Sequence, residues 1–364
     1  MQKKLIALAV AALASGAAFA QSNVTIYGNV DVGFSHRGDN IANNVGSQNA
    51  IDSGISDDSY VGFKGVEDLG NGLKALFVLE AGFTADDGAS TGSLFEKQAF
   101  LGLTGNFGTA IAGRLVAPRY SLLAAIDPFA DGTVGRFHNV FSDVVAADVD
   151  RVNNAVAYVS PSFSGFSVTA AYSTSALWSE GSLTASPDND GDLRVYTVLP
   201  RYTNGPLDIG LAYQQIKGKD STSAAKVKQW TLGGTYDFKV VKLSAYYDNY
   251  KDKQGVANVV LGSHGILGND MKLKTFGVGV TVPFGKHAIL ASYNTSKAKQ
   301  SNFVNDTAKQ WALGYTYSLS KRTNFYAAYA DINNDDGRGT AVSDANNGGQ
   351  GYQNGLQFGL KHSF

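Results

Sequence analysis

The sequence predicts an all-β chain, a 16-stranded antiparallel β-barrel that crosses a membrane and carries one long inward-folded loop. Three observations predict it. Segments of about ten residues alternate apolar and polar side chains along nearly the whole chain. The connections between them alternate short and long. The composition, with 42 Gly, 18 Tyr and 20 Phe against 2 Met and 7 Pro in 364 residues, suits repeated strands rather than helices.

The alternation is explicit at the C-terminus, "GLQFGLKHSF". Leu356, Phe358, Leu360 and Phe364 fall on one face, with Gln357, Gly359, Lys361 and Ser363 on the other. In "VTIYGNVDVGF", Ile26, Val30, Val32 and Phe34 oppose Thr25, Tyr27, Asn29 and Asp31. In "WTLGGTYDF", Trp230, Leu232, Tyr236 and Phe238 oppose Thr231, Gly233, Thr235 and Asp237. "FSVTAAY" (166–172), "TFGVGVTVPF" (275–284) and "WALGYTYSL" (311–319) repeat the pattern. Period two means strands with one apolar face. Aromatic residues open or close those faces: Trp230 and Trp311 at one end, Phe238, Phe284 and Phe364 at the other. Such rings fit girdles at two membrane interfaces, so the apolar faces are expected to meet lipid and the polar faces to line a lumen.

Strands are expected at about 23–36, 58–68, 73–85, 95–105, 108–117, 151–160, 165–175, 193–203, 206–217, 227–238, 240–251, 273–284, 287–298, 308–319, 322–332 and 354–364. Tight turns such as "LGNG" (69–72), "NG" (204–205) and "FGK" (284–286) alternate with long polar stretches, including 38–55, 178–192, 252–270 and 333–351. Short periplasmic turns and long external loops are the outer-membrane pattern. One connection differs. Residues 118–150 are too apolar for a free surface loop and carry a helical turn at Leu122–Ile126, so they are expected to fold inward as a constriction.

The first twenty residues, "MQKKLIALAVAALASGAAFA", have a basic start, a short apolar run and a small-residue end, the layout of a signal peptide. Cleavage after Ala20 leaves one domain, 21–364, with 28 basic and 31 acidic residues. No basic excess suggests nucleic acid. Without cysteine, disulfides and thiolate catalysis are excluded. No later apolar run approaches the ~20 residues of a membrane helix, which does not exclude strands.

Several stretches resemble the general porins of β-proteobacteria, the group that includes the neisserial porins. "VTIYGNVDVG" is similar to their first strand, and "GFKGVEDLGNGLKALFVLEAGF" (62–83) to their second and third. "FEKQAFLGLTGNFGTAIAGR" (95–114), "RVNNAVAYVSPSFSGFSVTAAYS" (151–173), "YTNGPLDIGLAYQ" (202–214), "YDFKVVKLSAYY" (236–247) and the closing "GLKHSF" also match, in order. The resemblance implies an outer-membrane homotrimer among lipid and lipopolysaccharide, and passive diffusion of small hydrophilic solutes and ions without a cofactor. It also implies that the assembly machinery reads the last strand, through Phe358, Leu360, His362 and Phe364. That strand is expected to pair with residues 24–34 to close the barrel.

Lumen charges carry the function. Alternation places Asp31 and Arg37 inward on the first strand, Lys64 on the second, and Lys74 and Glu80 on the third. Arg114 points inward if Ile111 and Leu115 point out. A charge at the bilayer midplane costs about 2–4 kcal/mol, which favours the lumen. Glu96 and Lys97 are neighbours and conflict with a regular strand; the family argues for Lys97 inward, through a bulge or a position above the lipid. By the same resemblance Arg151 joins the basic wall, and Asp127 and Asp131 of "DPFADG" oppose it from the loop. The expected result is a transverse field in a narrow neck with weak anion preference. Relatives carry a base where this chain has Tyr60, which weakens the cluster unless Arg37 replaces it.

Asp188, Asp190 and Asp192 in "DNDGD" have calcium-loop spacing but lack the closing glutamate, leaving an acidic external loop as the other reading. The five histidines lack metal-ligand spacing. No nucleophile elbow, phosphate loop or HExxH is present, so no enzyme is expected. Two other classes remain: a substrate-specific channel with a saturable site, and a soluble β adhesin that needs no detergent.

Overall fold

The computed structural model describes residues 23–40, 46–141, 149–176, 193–218, 226–253, 271–300, 303–335, 338–345 and 351–364. The signal-peptide segment and the Asp188, Asp190 and Asp192 triad lie outside them. Seventeen strands are described: β1 (Asn23–Asn40), β2 (Gln48–Ser53), β3 (Tyr60–Gly70), β4 (Leu73–Gly82), β5 (Gln98–Gly105), β6 (Gly108–Val116), β7 (Arg151–Val159), β8 (Phe166–Ser173), β9 (Leu193–Asn204), β10 (Leu207–Gly218), β11 (Lys226–Asp237), β12 (Lys242–Lys253), β13 (Met271–Phe284), β14 (His287–Gln300), β15 (Phe303–Ser318), β16 (Thr323–Asn334) and β17 (Tyr352–Ser363). Sixteen of them form a closed antiparallel barrel in chain order. The other, β2, hairpins back onto the upper half of β1, Val32–Arg37. The sequence pattern places β2 inside the long loop 38–55, because six residues of mixed polarity carry no clear period.

The barrel is inside-out relative to a soluble fold. On β11 the outward Trp230, Leu232 and Tyr236 are 38, 43 and 42 % exposed, whereas the inward Gln229, Thr231 and Thr235 are 0, 0 and 6 % exposed. The same parity runs through the other strands, with Leu101, Leu211, Phe276, Leu313 and Phe358 facing out. Aromatic neighbours pack along the outer surface at both ends, Trp230 on Tyr247 and Trp311 on Tyr329 at one, Tyr236 on Phe238 at the other. Trp230 and Tyr236 are about 20 Å apart along β11, with Phe238 just past its end, enough to span most of an apolar band ~25 Å tall.

Closure occurs between β1 and β17. The ladder runs from Asn29 opposite Ser363 to Asn40 opposite Tyr352, and two backbone bonds join Gly28 and Phe364 (3.2 and 3.1 Å). The seam therefore uses residues 28–40 rather than the expected 24–34. The shift is the stagger that a tilted, closed sheet requires. The other edge of β1 is shared: Asn23–Asn29 pair with β3 and the upper half with β2.

The helix α1 (Pro118–Ile126) begins the inward loop. Pro118 occupies the first helical turn, where its missing N–H costs nothing. Leu122, Leu123 and Ile126 are buried against the inner wall. Their seat is made of glycines, because an inward side chain on the wall would occupy the loop's volume. A Cβ on Gly210 would stand 2.9 Å from Leu122, one on Gly314 2.6 Å from Phe129, and one on Gly355 2.7 Å from Val134. Gly233 and Gly279 give the same clearance to Ile126 and Pro128. Phe137 then packs on Tyr246 at 4.9 Å. Each such apolar side chain removed from water contributes roughly 1.5–3 kcal/mol. Polar anchors fix the register: Arg119 pairs with Asp248 at 3.1 Å, Gln357 accepts the Val134 N–H at 2.8 Å, and Ser296 donates to the Val140 carbonyl at 2.7 Å.

Part of the stretch expected as an external loop also turns inward. Arg338 binds Ser296 and the Val140 carbonyl, and Ser343 binds Asn139. Residues 338–345 thus lie on the inward loop and help hold it.

The seam leaves no room at Gly28, where a Cβ would meet the Tyr60 carbonyl and the Phe364 ring at 2.6 Å. Gly28→Ala is expected to lower the yield of folded, heat-modifiable barrel severalfold on gel electrophoresis. A wild-type yield would contradict this account of closure.

Candidate functional site

The inward loop lies against β9–β17, which leaves a passage between it and the opposite wall. A polar cavity of about 300 Å³ sits there. Lys97 and Arg151 reach it from the wall, with Asp58, Glu96 and Asp150; Tyr120 and Arg136 reach it from the loop.

Local structure explains each placement. Lys97 precedes the ladder, which begins at Gln98 opposite Glu80. It therefore escapes the alternation that puts Leu101 and Leu103 outside, and its ammonium pairs with Asp58. Arg151 opens β7; its Nε donates to the Lys97 carbonyl at 3.0 Å, and its guanidinium meets Asp150 and, at 3.6 Å, Asp58. Asp58 is held indirectly by Asp31, which is fully buried where β1 changes partner from β3 to β2. The Asp31 carboxylate accepts the Ser56 and Asp57 N–H groups, both at 3.0 Å, and the Tyr326 hydroxyl at 2.5 Å. Asp31 thus faces inward but shapes the 54–59 turn rather than the passage.

The remaining wall charges divide. Lys64 points into the lumen with its ammonium 4.6 Å above the Tyr27 ring, and Lys74 lies nearer the short turns on the inward face of β4. Glu80 faces inward and accepts from Tyr27 at 2.6 Å and from Gln98 at 2.8 Å. Tyr60 packs edge-on to Tyr27, and Lys97 lies 6.0 Å from its ring centre. Arg37 does not replace a missing base there. It is buried in ion pairs with Asp52 (2.8 Å) and Asp344 (2.9 Å), tying β1 to β2 and to the segment before β17.

Arg114 requires a correction. Ile111 and Leu115 are both buried inside, at 6 and 4 % exposure, instead of pointing out. The register slips between Gly113 and Leu115, so parity does not carry across Arg114. Its guanidinium donates to the Glu96 carbonyl and to Asn153 at 2.5 Å, behind the cavity lining.

The loop acids serve the loop. Asp127 accepts the N–H groups of Phe129, Asp131 and Phe137 at 2.9, 3.1 and 2.9 Å, and burial pushes its carboxyl up to about 6. Asp131 is buried too, but Arg136 at 2.9 Å and His138 at 2.5 Å outweigh that and hold it well below the usual carboxylate range. Tyr120, whose hydroxyl donates to Asp131, is raised well above its usual value by burial and by that carboxylate. The loop therefore presents Arg136 and Tyr120 to the passage instead of Asp127 and Asp131. Opposite charges meet in local pairs, not as a basic wall facing an acidic loop.

A family model for Gram-negative porins matches residues 7–337. The chain is a Gram-negative porin. An outer membrane porin of Bordetella pertussis is 33 % identical, covering 94 % of this chain and 98 % of that one. Outer membrane porin protein 32 of Delftia acidovorans is 32 % identical over the whole of both. The solved anion-selective porin from Comamonas acidovorans superposes with a TM-score of 0.77 at 28 % identity, covering 94 % of this chain and all of that one. The porin is thus an outer-membrane protein, and its lumen is a water-filled channel for passive diffusion of small hydrophilic solutes.

Asp58 balances two cations at the neck. Asp58→Asn leaves Lys97 unpaired and Arg151 with Asp150 alone. A unit charge at 4 Å is worth about 1 kcal/mol even in bulk water, roughly fivefold in a permeability ratio. The reversal potential in a potassium chloride gradient is expected to shift toward the chloride potential, and no shift would show that Asp58 does not tune the neck.

Proposed function

We propose that this porin works as a homotrimer of general diffusion channels with a weak preference for anions. The supporting observation is the convergence of Lys97, Arg136 and Arg151 on one cavity, each beside a carboxylate. Local pairing leaves little net field at the neck, which argues for weak selectivity. The lumen ammonium of Lys64 makes a cation–π contact and, among the described residues, no ion pair, which tips the balance toward anions. The relative of known structure is itself described as anion-selective. In this reading Lys97 and Arg151 are the basic wall, Lys64 and Lys74 extend it toward the periplasm, and Arg37, Arg114, Asp127 and Asp131 set the shape of the passage.

Two further roles belong to the same reading. Residues 1–20 direct export and are removed. The outward residues Phe358, Leu360, His362 and Phe364 of the last strand carry the signal for the outer-membrane assembly machinery; all four are exposed, and the His362 ring meets Thr323 at 2.9 Å.

Purified protein added to a planar bilayer tests the proposal. Nearly ohmic conductance in groups of three equal steps is expected, with a small reversal potential of anionic sign. Saturation by one solute at low concentration would favour a substrate-specific channel, and absent conductance would overturn diffusion altogether.

A further inference from the structure

The neck has a second jaw besides the inward loop: the turn 54–59 between β2 and β3. Ile55 and Ser59 are buried, and Asp58 meets Lys97 and Arg151. The turn is docked on the loop. The Thr133 N–H donates to the Ile55 carbonyl at 2.6 Å, and a Cβ on Gly132 would strike the Ser56 carbonyl. The turn belongs to no strand ladder, so its regular hydrogen bonds do not decide where Asp58 stands.

A chain of polar contacts that begins two strands away does so. Tyr326 on β16 points inward and is buried. It lies opposite Gly359 of β17, which in turn lies opposite Gly33 of β1. A Cβ on Gly359 would take the place of the Tyr326 hydroxyl, and one on Gly33 would stand 3.0 Å from Ile55. These two glycines leave a gap in the wall. The Tyr326 side chain crosses β17 through it and donates to Asp31 Oδ1 at 2.5 Å. Asp31 Oδ2 accepts the Ser56 and Asp57 N–H groups, both at 3.0 Å. Ser59 accepts the Asp31 N–H at 3.0 Å, and Asn29 donates to the Asp58 carbonyl at 2.9 Å.

Asp31 is fully buried and, among the described residues, makes no ion pair. A buried carboxylate without a cation is costly unless donors are aimed at it. Three are, on two oxygens, and together they leave the carboxylate one orientation. Two of the three are consecutive N–H groups of the turn. The orientation of Asp31 therefore fixes the peptides that lead into Asp58.

We propose that Tyr326 and Asp31 are positioning residues for the ion selectivity of the channel. The Tyr326 hydroxyl orients the Asp31 carboxylate, which orients the turn, and the turn holds the Asp58 carboxylate beside Lys97 and Arg151. A hydroxyl on β16 that does not line the cavity thereby sets how far two cations of the neck are neutralised. The proposal rests on the reading of the neck as the place where selectivity is set.

Reversal potentials of the full-length protein in a potassium chloride gradient test it, for the wild type, Tyr326→Phe, Asp58→Asn and the double variant. Coulomb attraction falls as the inverse of distance, so moving Asp58 from about 4 to about 8 Å halves its effect, roughly a twofold change in permeability ratio. Tyr326→Phe is expected to shift the potential toward that of chloride by this amount. In the Asp58→Asn background the same substitution is expected to add nothing, because no carboxylate is left to misplace. A loss of packing alone would act equally in both backgrounds, and equal shifts would overturn the proposal. Asn29→Ala, which removes the donor to the Asp58 carbonyl, takes the place of Tyr326→Phe if that variant yields no heat-modifiable barrel, with the same expected and contradicting results. A shift in Asp58→Asn with none in Tyr326→Phe would overturn the positioning role alone. No shift in Asp58→Asn would strike the reading of the neck and the proposal with it.

Discussion

Everything in this molecule depends on one constraint: in hydrocarbon, no backbone N–H or C=O can be left unpaired. A sheet satisfies that only by closing, and closure here rests on the antiparallel seam between β1 and β17. Once closed, period-two side chains have two surroundings to choose from. The apolar set goes to the outside, and the polar set encloses the lumen. A large apolar surface that would be a liability in water becomes the surface that holds the barrel in place.

The lumen then poses a packing problem. A barrel of sixteen strands is too wide for wall side chains to fill. The chain fills part of it with its own segment, and the glycines of β10, β11, β13, β15 and β17 make the seat. Apolar contacts fix the loop's depth, while Arg119 with Asp248 and the bonds to Ser296 and Gln357 fix its register. Because the loop sits on one side, the passage forms on the other, between it and Lys97 and Arg151. Selectivity is therefore a by-product of how the loop is anchored. Asp127 and Asp131 illustrate this, since their carboxylates organise the loop that delivers Arg136.

Strands were legible in the sequence because their period is local: Trp230 to Phe238 can be read without knowing any partner. Features that depend on closure were not. The buried Arg119–Asp248 pair joins residues 129 apart and has no signature in either neighbourhood. Arg114 is not legible from alternation, because parity fails wherever a bulge inserts a residue, and only the register slip between Gly113 and Leu115 reveals that place. Nothing in "SDDSY" (56–60) singles out Asp58. Its role appears only when Asp31, a strand residue, is seen holding the turn. Lys97 could be assigned only through family resemblance, since the ladder happens to start one residue later.

The assignment of faces can be measured directly because the chain has no cysteine. Single cysteines at the adjacent positions Thr169 and Ala170 of β8 should behave oppositely in proteoliposomes. Cys at 169 is expected to react with a small water-soluble thiol reagent and to be shielded from a lipid-dissolved quencher, and Cys at 170 to do the reverse. The opposite pair of results would contradict the inside-out barrel and, with it, the channel.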